Sequence, residues 1–155
     1  MTTPDLPPDF QQQMQTLLGA GYPAFVAALQ ESAPVSIRKN PLKIPNGAGS
    51  GFPEAGPVPW HPQAVYLSER PVFTLDPLLH AGAYYVQEAA SMFLHEALRQ
   101  SVDPAAALHV LDLCAAPGGK SSLLLSALPK SLVVSNEVIR SRTAVLRENL
   151  ERWGA

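Results

Sequence analysis

The chain has 155 residues, 46% of them hydrophobic, and a formal net charge of −2, which excludes a general electrostatic attraction to nucleic acid. Its single cysteine excludes an internal disulfide and is typical of a reducing cytosol. The sequence has no apolar run of about 18 residues and no charged-then-apolar leader, so we expect a cytoplasmic protein without a membrane segment. Its 16 prolines, about twice the usual share of roughly 5%, predict many extended connections.

Two short helices are predicted at the start of the chain. Pro7-Pro8-Asp9 is typical of a helix start, and apolar residues follow at helical spacing until Gly19 stops the run. A second helix is predicted over residues 23–30, with Pro23 near its first turn. We interpret the pair as a small packing hairpin.

A strand and a basic cluster come next. Residues 35–38 alternate like a half-buried strand. The densest basic cluster in the first half of the chain consists of Arg38, Lys39 and Lys43. Each could contact an RNA phosphate through a salt-sensitive interaction. Three charges are also common on any solvated edge, so the residues alone leave both interpretations open.

The stretch from Pro45 to Pro59 is rich in glycine and proline and predicts a loop or flexible flap. Trp60 and His61 follow, and we interpret them as packing anchors rather than as a base-stacking site. A short strand is predicted over residues 64–67. The sequence contains no cluster of cysteine and histidine, so we expect no metal site.

A further strand is predicted over residues 83–86. Gln87 and Glu88 then open an amphipathic helix, which is defined by the spacing of Ala90, Phe93, Leu94, Ala97 and Leu98. Acidic residues favour a helix N-terminus, which accounts for Glu88 in structural terms.

The most informative stretch lies between residues 107 and 128. Residues 107–111 are an apolar run of strand length, and residues 121–128 have helical length and good helix formers. The turn between them includes Cys114, Ala115, Ala116, Pro117, Gly118, Gly119 and Lys120. Glycine lets a ligand approach the backbone, and free N–H groups at the helix start point toward it. The unit therefore predicts an anion or nucleotide cradle.

The details of this turn favour one cofactor. The Walker phosphate loop requires Gly-x-x-x-x-Gly-Lys-Ser/Thr, and Cys114 occupies the first glycine position, which counts against an ATPase. The hydride-cofactor pattern Gly-x-Gly-x-x-Gly is absent as well. S-adenosyl-L-methionine carries no phosphate, and its methionine end can lie along a glycine turn. Glu137 would bind its ribose, because it ends the next predicted strand, residues 132–135, and lies 18 residues past Gly119.

A last helix is predicted after Glu137. Its apolar face consists of Ile139, Leu146, Leu150 and Trp153, and Gly154 suits its C-terminal cap. We interpret this helix as structural. At the end of the preceding strand–turn unit, Asp112 is expected to brace the turn.

Three stretches resemble one family. Asp112-Leu113-Cys114-Ala115-Ala116-Pro117-Gly118-Gly119-Lys120 is similar to the cofactor motif of Sun-type RNA cytosine-5 methyltransferases, and few other families place this motif after a strand. Residues 84–92 resemble the segment that precedes the motif there, and residues 36–43 resemble a basic segment of the N-terminal domain. Residues 73–77 with Tyr84-Tyr85 are similar to the bacterial ribosomal-RNA branch. The resemblance covers roughly residues 35–155, outside the Pro/Gly-rich loop.

The resemblance implies an α/β fold class, with a small N-terminal α+β domain followed by the start of a Rossmann-like class I methyltransferase domain, truncated after the second parallel strand and its helix. The implied division is an RNA-facing domain over residues 1–82, with the loop at 45–59, and the beginning of the methyltransferase domain over 83–155. S-adenosyl-L-methionine is the implied cofactor and RNA, in particular ribosomal RNA, the implied partner. The family position also suggests that Gln87 faces the reacting base.

The family's chemistry uses a thiol that is missing here. A cysteine beyond the cofactor half bonds to the pyrimidine ring, and this chain has no cysteine after residue 114. The resemblance thus implies an enzyme when complete and an inactive 155-residue chain with no catalytic residue of its own. Two alternatives stay open: a non-catalytic RNA-binding or assembly module with a vestigial cofactor fold, and a phosphate-binding NTPase. Titration with adenosylmethionine, or with nucleotide and magnesium, would separate them.

Overall fold

The computed structural model describes residues 6–44 and 49–155. The chain forms two compact units, Met1–Pro34 and Val35–Ala155.

The first unit contains two helices, α1 (Pro8–Leu18) and α2 (Tyr22–Ala28). Proline is well placed in the first turn of a helix because its missing N–H would have no partner there, and each helix has one at that position. Gly19 ends α1 with a φ of +51°, which glycine adopts readily. The rings of Phe10 and Phe25 lie 6.3 Å apart between the helices. The predicted helical hairpin is confirmed.

The second unit begins with a four-stranded antiparallel sheet of order β2-β3-β1-β4. Its strands are β1 (Val35–Lys39), β2 (Glu54–Pro57), β3 (Ala64–Leu67) and β4 (Tyr84–Val86). Ile37 lies opposite Val65 in β3 and Val86 in β4, so β-branched residues of three strands stand side by side. The strands predicted over residues 35–38, 64–67 and 83–86 are confirmed.

Both faces of this sheet are covered. One face carries a core of Ile37, Val65, Leu67, Phe73, Ala83 and Tyr84. The other face packs against the rest of the second unit through Val58, Ala64, Ala89, Met92 and Leu123. Since successive side chains of a strand point to opposite faces, Ile37 lies in the first core and its neighbours Ser36 and Arg38 lie on the second side.

The prediction of a loop over residues 45–59 is wrong in part. Residues 45–48 lie outside the described residues, but Glu54–Pro57 forms β2. This strand was not predicted, because its proline and glycine residues both have low strand propensity. Pro57 is tolerated because β2 is at the edge of the sheet. Gly56 has a φ of +151°, and the pairing with β3 shifts register between Glu54 and Gly56.

The remainder of the second unit has a Rossmann-like order. Its elements are α4 (Leu94–Ser101), β5 (His109–Asp112), α5 (Gly119–Ala127), β6 (Leu132–Ser135) and α6 (Arg140–Trp153). β5 and β6 are parallel, with Asp112 opposite Ser135, and parallel neighbours require a crossover such as α5. Gly154, with a φ of +109°, caps α6 as predicted. The predicted α/β fold class and the strand–turn–helix are confirmed.

The helix predicted to open at Gln87 begins later. A 3₁₀ turn over Ala90–Phe93 leads into α4. The N–H of Gln87 donates to the carbonyl of Ser36 at 3.2 Å, and Ser36 Oγ donates back to the carbonyl of Gln87 at 2.6 Å. These bonds extend the attachment of β4 to β1 and keep Gln87 out of the helix.

A short helix, α3 (Pro77–His80), precedes β4. β4 pairs with β1, so this sheet includes residues on both sides of the domain division that the sequence places after residue 82. That division stays a prediction. Within residues 6–44 and 49–155, no helix has the length and apolar character needed to cross a membrane.

Candidate functional site

The turn after β5 is built as a cradle. Gly118 has a φ of +108°, and its N–H donates to the Ala115 carbonyl at 2.7 Å, which closes the turn just before α5. Asp112 Oδ2 accepts from Ser121 Oγ at 2.7 Å, so Asp112 braces the first turn of α5, as expected. The turn is fixed from outside as well, since Ala115 N–H donates to the Asn136 carbonyl at 2.9 Å.

A cleft of about 230 Å³ opens beside this turn. One wall contains six of the eight residues predicted to hold the cofactor: Cys114, Ala115, Ala116, Pro117, Gly119 and Lys120. The opposite wall is formed by Tyr85, Val86, Gln87, Glu88 and Ser91. Gly118 does not line the cleft and serves the turn through its backbone angle. The structure thus brings the two motif-bearing stretches of the sequence face to face.

Gly119 lies close to the opposite wall of the cleft. A Cβ at this position would lie 3.4 Å from the ring of Tyr85 and 3.5 Å from Nε2 of Gln87. A side chain here would push the walls apart or fill the cleft. Gln87 was predicted as a functional residue, whereas Tyr85, two residues earlier in the stretch that carried the resemblance, was not predicted as a wall residue.

Glu137 is held against the turn rather than inside the cleft. Its Oε1 accepts from Ile139 N–H at 2.9 Å, and its Oε2 accepts from Ala116 N–H at 3.3 Å. Arg142 Nη1 lies 3.6 Å from Oε2. The Ile139 hydrogen bond, with the charge of Arg142, lowers the pKa of Glu137, so it is a carboxylate at neutral pH. Each oxygen keeps a lone pair for a further donor.

Arg38 connects the sheet to the turn. It is 0% exposed. Nε donates to Oε1 of Gln87 at 2.8 Å, while Nη2 donates to Ser122 Oγ at 2.6 Å and to the Gly119 carbonyl at 3.2 Å. The guanidinium carbon lies 4.3 Å from the ring centroid of Trp153, a cation–π distance. Burial lowers the pKa of Arg38 to about 9.

The basic cluster predicted for RNA does not form a shared exposed patch. Arg38 is buried, because its position in β1 turns it toward α5. Lys39 Nζ pairs with Glu54 at 2.9 Å, and its side chain is 12% exposed. Lys43 is exposed, but its Nζ donates to the carbonyls of Ala81 at 2.7 Å and Arg152 at 2.6 Å. RNA contact by Arg38, Lys39 and Lys43 stays a prediction.

Lys43 and its neighbour Asn40 hold the end of α6. Asn40 is 0% exposed, and its Nδ2 donates to the carbonyls of Gly82 at 2.9 Å and Trp153 at 2.8 Å. The last carbonyls of a helix have no partner within it, so side chains that donate to them stabilise its end. The sequence offered no signal for this role, because the partners are more than 100 residues away.

Cys114, the single cysteine, is exposed at the start of the turn and lines the cleft. Within the part of the chain that the structure describes, no group of three or more histidine, cysteine, aspartate or glutamate residues is placed to hold a metal ion.

Parallel strands with a glycine turn that faces a cleft define a Rossmann-like domain of the kind that binds nucleotide-containing cofactors. Residues 6–89 match the family model described as the N-terminal domain of 16S rRNA methyltransferase RsmF, and residues 99–155 match that of 16S rRNA methyltransferase RsmB/F. The chain therefore belongs to the RsmB/F family of 16S rRNA methyltransferases, which confirms the resemblance seen in the sequence.

Two curated relatives carry the description ribosomal RNA small subunit methyltransferase F. The Vibrio campbellii protein is 34% identical over 96% of this chain, and the Erwinia tasmaniensis protein is 33% identical over the same share. In each case the match covers 33% of the relative, so the chain spans about a third of the length of these proteins.

Solved structures agree with the fold. A methyltransferase homologue from Pyrococcus horikoshii superposes with a TM-score of 0.75 at 28% identity, covering 96% of this chain and 54% of that one. The protein PH0851 superposes with a TM-score of 0.80 over 96% of this chain and 34% of its own length. Its 24% identity supports the fold alone.

Proposed function

We propose that this chain is the cofactor-binding and RNA-facing part of an S-adenosyl-L-methionine-dependent methyltransferase that modifies carbon 5 of a cytosine in ribosomal RNA, in the cytoplasm. The observation that carries the proposal is the cleft in which the motif turn faces the Gln87 wall. The domain division at residues 82 and 83 belongs to this proposal. So does RNA phosphate contact by Arg38, Lys39 and Lys43.

The residues of the cleft fit a cofactor without phosphate. The turn has a left-handed glycine and a close-approach glycine, and its Ala116 N–H donates to the carboxylate of Glu137. When bound, S-adenosyl-L-methionine supplies the methyl group. The turn residues Cys114 to Lys120 would hold its methionine part, and Glu137 would accept hydrogen bonds from both ribose hydroxyls.

Gln87 would orient the target base. Because Arg38 donates to its Oε1, the amide is fixed with Nε2 as its donor end, which also donates to Ser91 Oγ at 3.1 Å. A fixed amide donor on a cleft wall can hold an acceptor of a pyrimidine edge without reorganising when the base arrives.

Carbon-5 methylation requires a nucleophile that adds to carbon 6 of the ring before the methyl group is transferred. Cys114 is the sole thiol in the sequence, and it lies in the turn proposed to be covered by the cofactor. We therefore propose that the thiol comes from a part of the longer protein outside these 155 residues, and that this chain alone transfers no methyl group.

Calorimetric titration with S-adenosyl-L-methionine tests the proposal. The 155-residue chain should bind it, and Glu137→Ala should weaken binding roughly 10- to 150-fold, the value expected for charge-assisted hydrogen bonds to the ribose. Glu151→Ala is the matched control, since it removes a carboxylate from the exposed side of α6. Absence of binding by the parent chain would contradict the cofactor assignment, and equal affinities for parent and Glu137→Ala would remove Glu137 from the site.

A further inference from the structure

A second cavity, of about 220 Å³, is lined by Arg38 and shares no lining residue with the cofactor cleft. Its polar lining consists of Arg38, Lys39, His61, Gln63, His95 and Ser126. No acidic residue is among the described residues that line it. This volume has room for a small ion, since a water molecule needs only about 10–15 Å³ measured in this way.

The charge of Arg38 is unbalanced. Its three hydrogen-bond acceptors, the Gln87 amide, the Ser122 hydroxyl and the Gly119 carbonyl, are all neutral groups. A buried cation is costly unless an anion accompanies it, because the protein interior solvates charge poorly. The stacking of Arg38 on Trp153 offsets part of this cost but supplies no negative charge.

Two buried nitrogen atoms at this cavity also have unused hydrogen-bonding capacity. Within the described residues, Arg38 Nη1 and His95 Nδ1 are buried atoms without a hydrogen-bond partner, and both residues line this cavity. Buried polar atoms are nearly always paired, so two unpaired atoms at one cavity point to a missing ligand.

The histidines suit a ligand that accepts hydrogen bonds. The rings of His61 and His95 lie 4.5 Å apart between their centroids. His61 Nδ1 accepts from the N–H of Gln63 at 3.1 Å, so the proton of the neutral ring is on Nε2, which is a donor. Lys39 adds positive charge at the rim, although it is paired with Glu54.

We propose that this cavity is a binding site for a phosphate-type oxyanion, which would balance the charge of Arg38 and accept hydrogen bonds from Arg38 and the histidine pair. The ligand is either free inorganic phosphate or a phosphate of an RNA backbone that enters the cavity. The site is separate from the cofactor cleft, so the proposal does not depend on the proposed methyl transfer. Arg38 would then connect the two sites, since it also positions Gln87.

The test uses an isosteric change of charge. Gln63→Glu keeps the shape of a lining residue and places a carboxylate beside the cavity, without removing any hydrogen bond of Arg38. Gln13→Glu, in the first unit, makes the same charge change at an exposed position and is the matched control. A second variant, His95→Leu, removes one of the unpaired nitrogens.

Thermal melting is recorded with increasing inorganic phosphate, and with sodium chloride at equal ionic strength. Phosphate should raise the melting temperature of the parent and of Gln13→Glu in a saturable way, beyond the effect of chloride. Gln63→Glu and His95→Leu should bind at least roughly tenfold more weakly, as expected for losing a charge-assisted hydrogen bond.

A second arm identifies the source. If a dinucleoside monophosphate stabilises the parent in a Gln63-dependent way while inorganic phosphate acts no better than chloride, the site takes an RNA phosphodiester. If neither compound stabilises the protein beyond chloride, the proposal is wrong. It is equally overturned if Gln63→Glu and His95→Leu bind phosphate as the parent does, because the anion would then be bound elsewhere.

Discussion

Mild acid should destabilise this protein through His61 before its carboxylates titrate. His61 is 6% exposed, and its burial, together with the neighbouring His95 and Arg38, lowers its pKa from 6.5 to about 3. In the unfolded chain the ring takes up a proton near the ordinary value. The unfolded state thus binds the extra proton between these two pH values, and stability falls as pH drops through about 6.5 toward 3.

The magnitude follows from the width of that window. A pH of about 5 lies ~1.5 units below the pKa of the unfolded ring. Each unit is worth ~1.4 kcal/mol, so the loss in free energy of unfolding is at most ~2 kcal/mol. Because solvent partly screens the His61 ring, we expect a loss of about 1–2 kcal/mol. The pKa values of Glu54 and Glu137 are lowered on folding. The stability that these carboxylates contribute is lost only as the pH falls below their unfolded pKa of 4.5, so their effect is small at about pH 5.

Urea denaturation in phosphate-free buffers at about pH 7.5 and about pH 5 measures the effect. His61→Asn keeps an acceptor for the Gln63 N–H but does not titrate, so its free energy of unfolding should change by less than ~0.5 kcal/mol between the two conditions. His109→Asn is the control, because His109 is exposed and should leave the parent's pH dependence intact. If His61→Asn shows the same loss as the parent, the assignment of this acid sensitivity to His61 is refuted.

Three further substitutions test the contacts at the end of α6 and the role of the cysteine. Asn40→Ala should cost ~2–4 kcal/mol in urea denaturation, because two carbonyls and one N–H lose a buried partner, whereas Asn136→Ala, with one exposed bond, should cost less than ~1 kcal/mol. Gly82→Ala should lose at least ~3 kcal/mol or fail to fold, since its φ is +69° and the new Cβ would lie 1.8 Å from the Arg152 carbonyl oxygen. The 155-residue chain should form no denaturation-resistant adduct with 5-fluorocytosine RNA; an adduct that disappears in Cys114→Ser would make Cys114 the nucleophile.

Local patterns predicted most of the regular structure. The strand–turn–helix around Gly118 was recognisable because glycine geometry, apolar length and helix propensity agree within a stretch of some twenty residues. β2 was missed because edge position relaxes the rules that Gly56 and Pro57 break, and edge position is a property of the sheet rather than of the segment.

Only the turn side of the candidate site could be predicted from the sequence. The turn residues are recognisable by their order and spacing, and they form one wall of the cleft. Their contact with a cofactor stays a prediction. The position of Arg38 was not predictable, because its partners Gln87 and Ser122 lie 49 and 84 residues away. The alternation of β1 separates buried Arg38 from Lys39, and Lys43 lies beyond the strand, so the basic cluster in the sequence does not form one surface.

The contacts made by Arg38, Asn40 and Lys43 limit how this protein can be recombined. β1 and the residues just after it are joined to the cleft wall, the first turn of α5 and the last turn of α6. Exchanging residues 35–86 for the corresponding stretch of a distant relative would replace one half of each contact and keep the other. The segments that match the two family models are thus not interchangeable between distant relatives. A chimera that folds must take both partners of each of these contacts from the same parent.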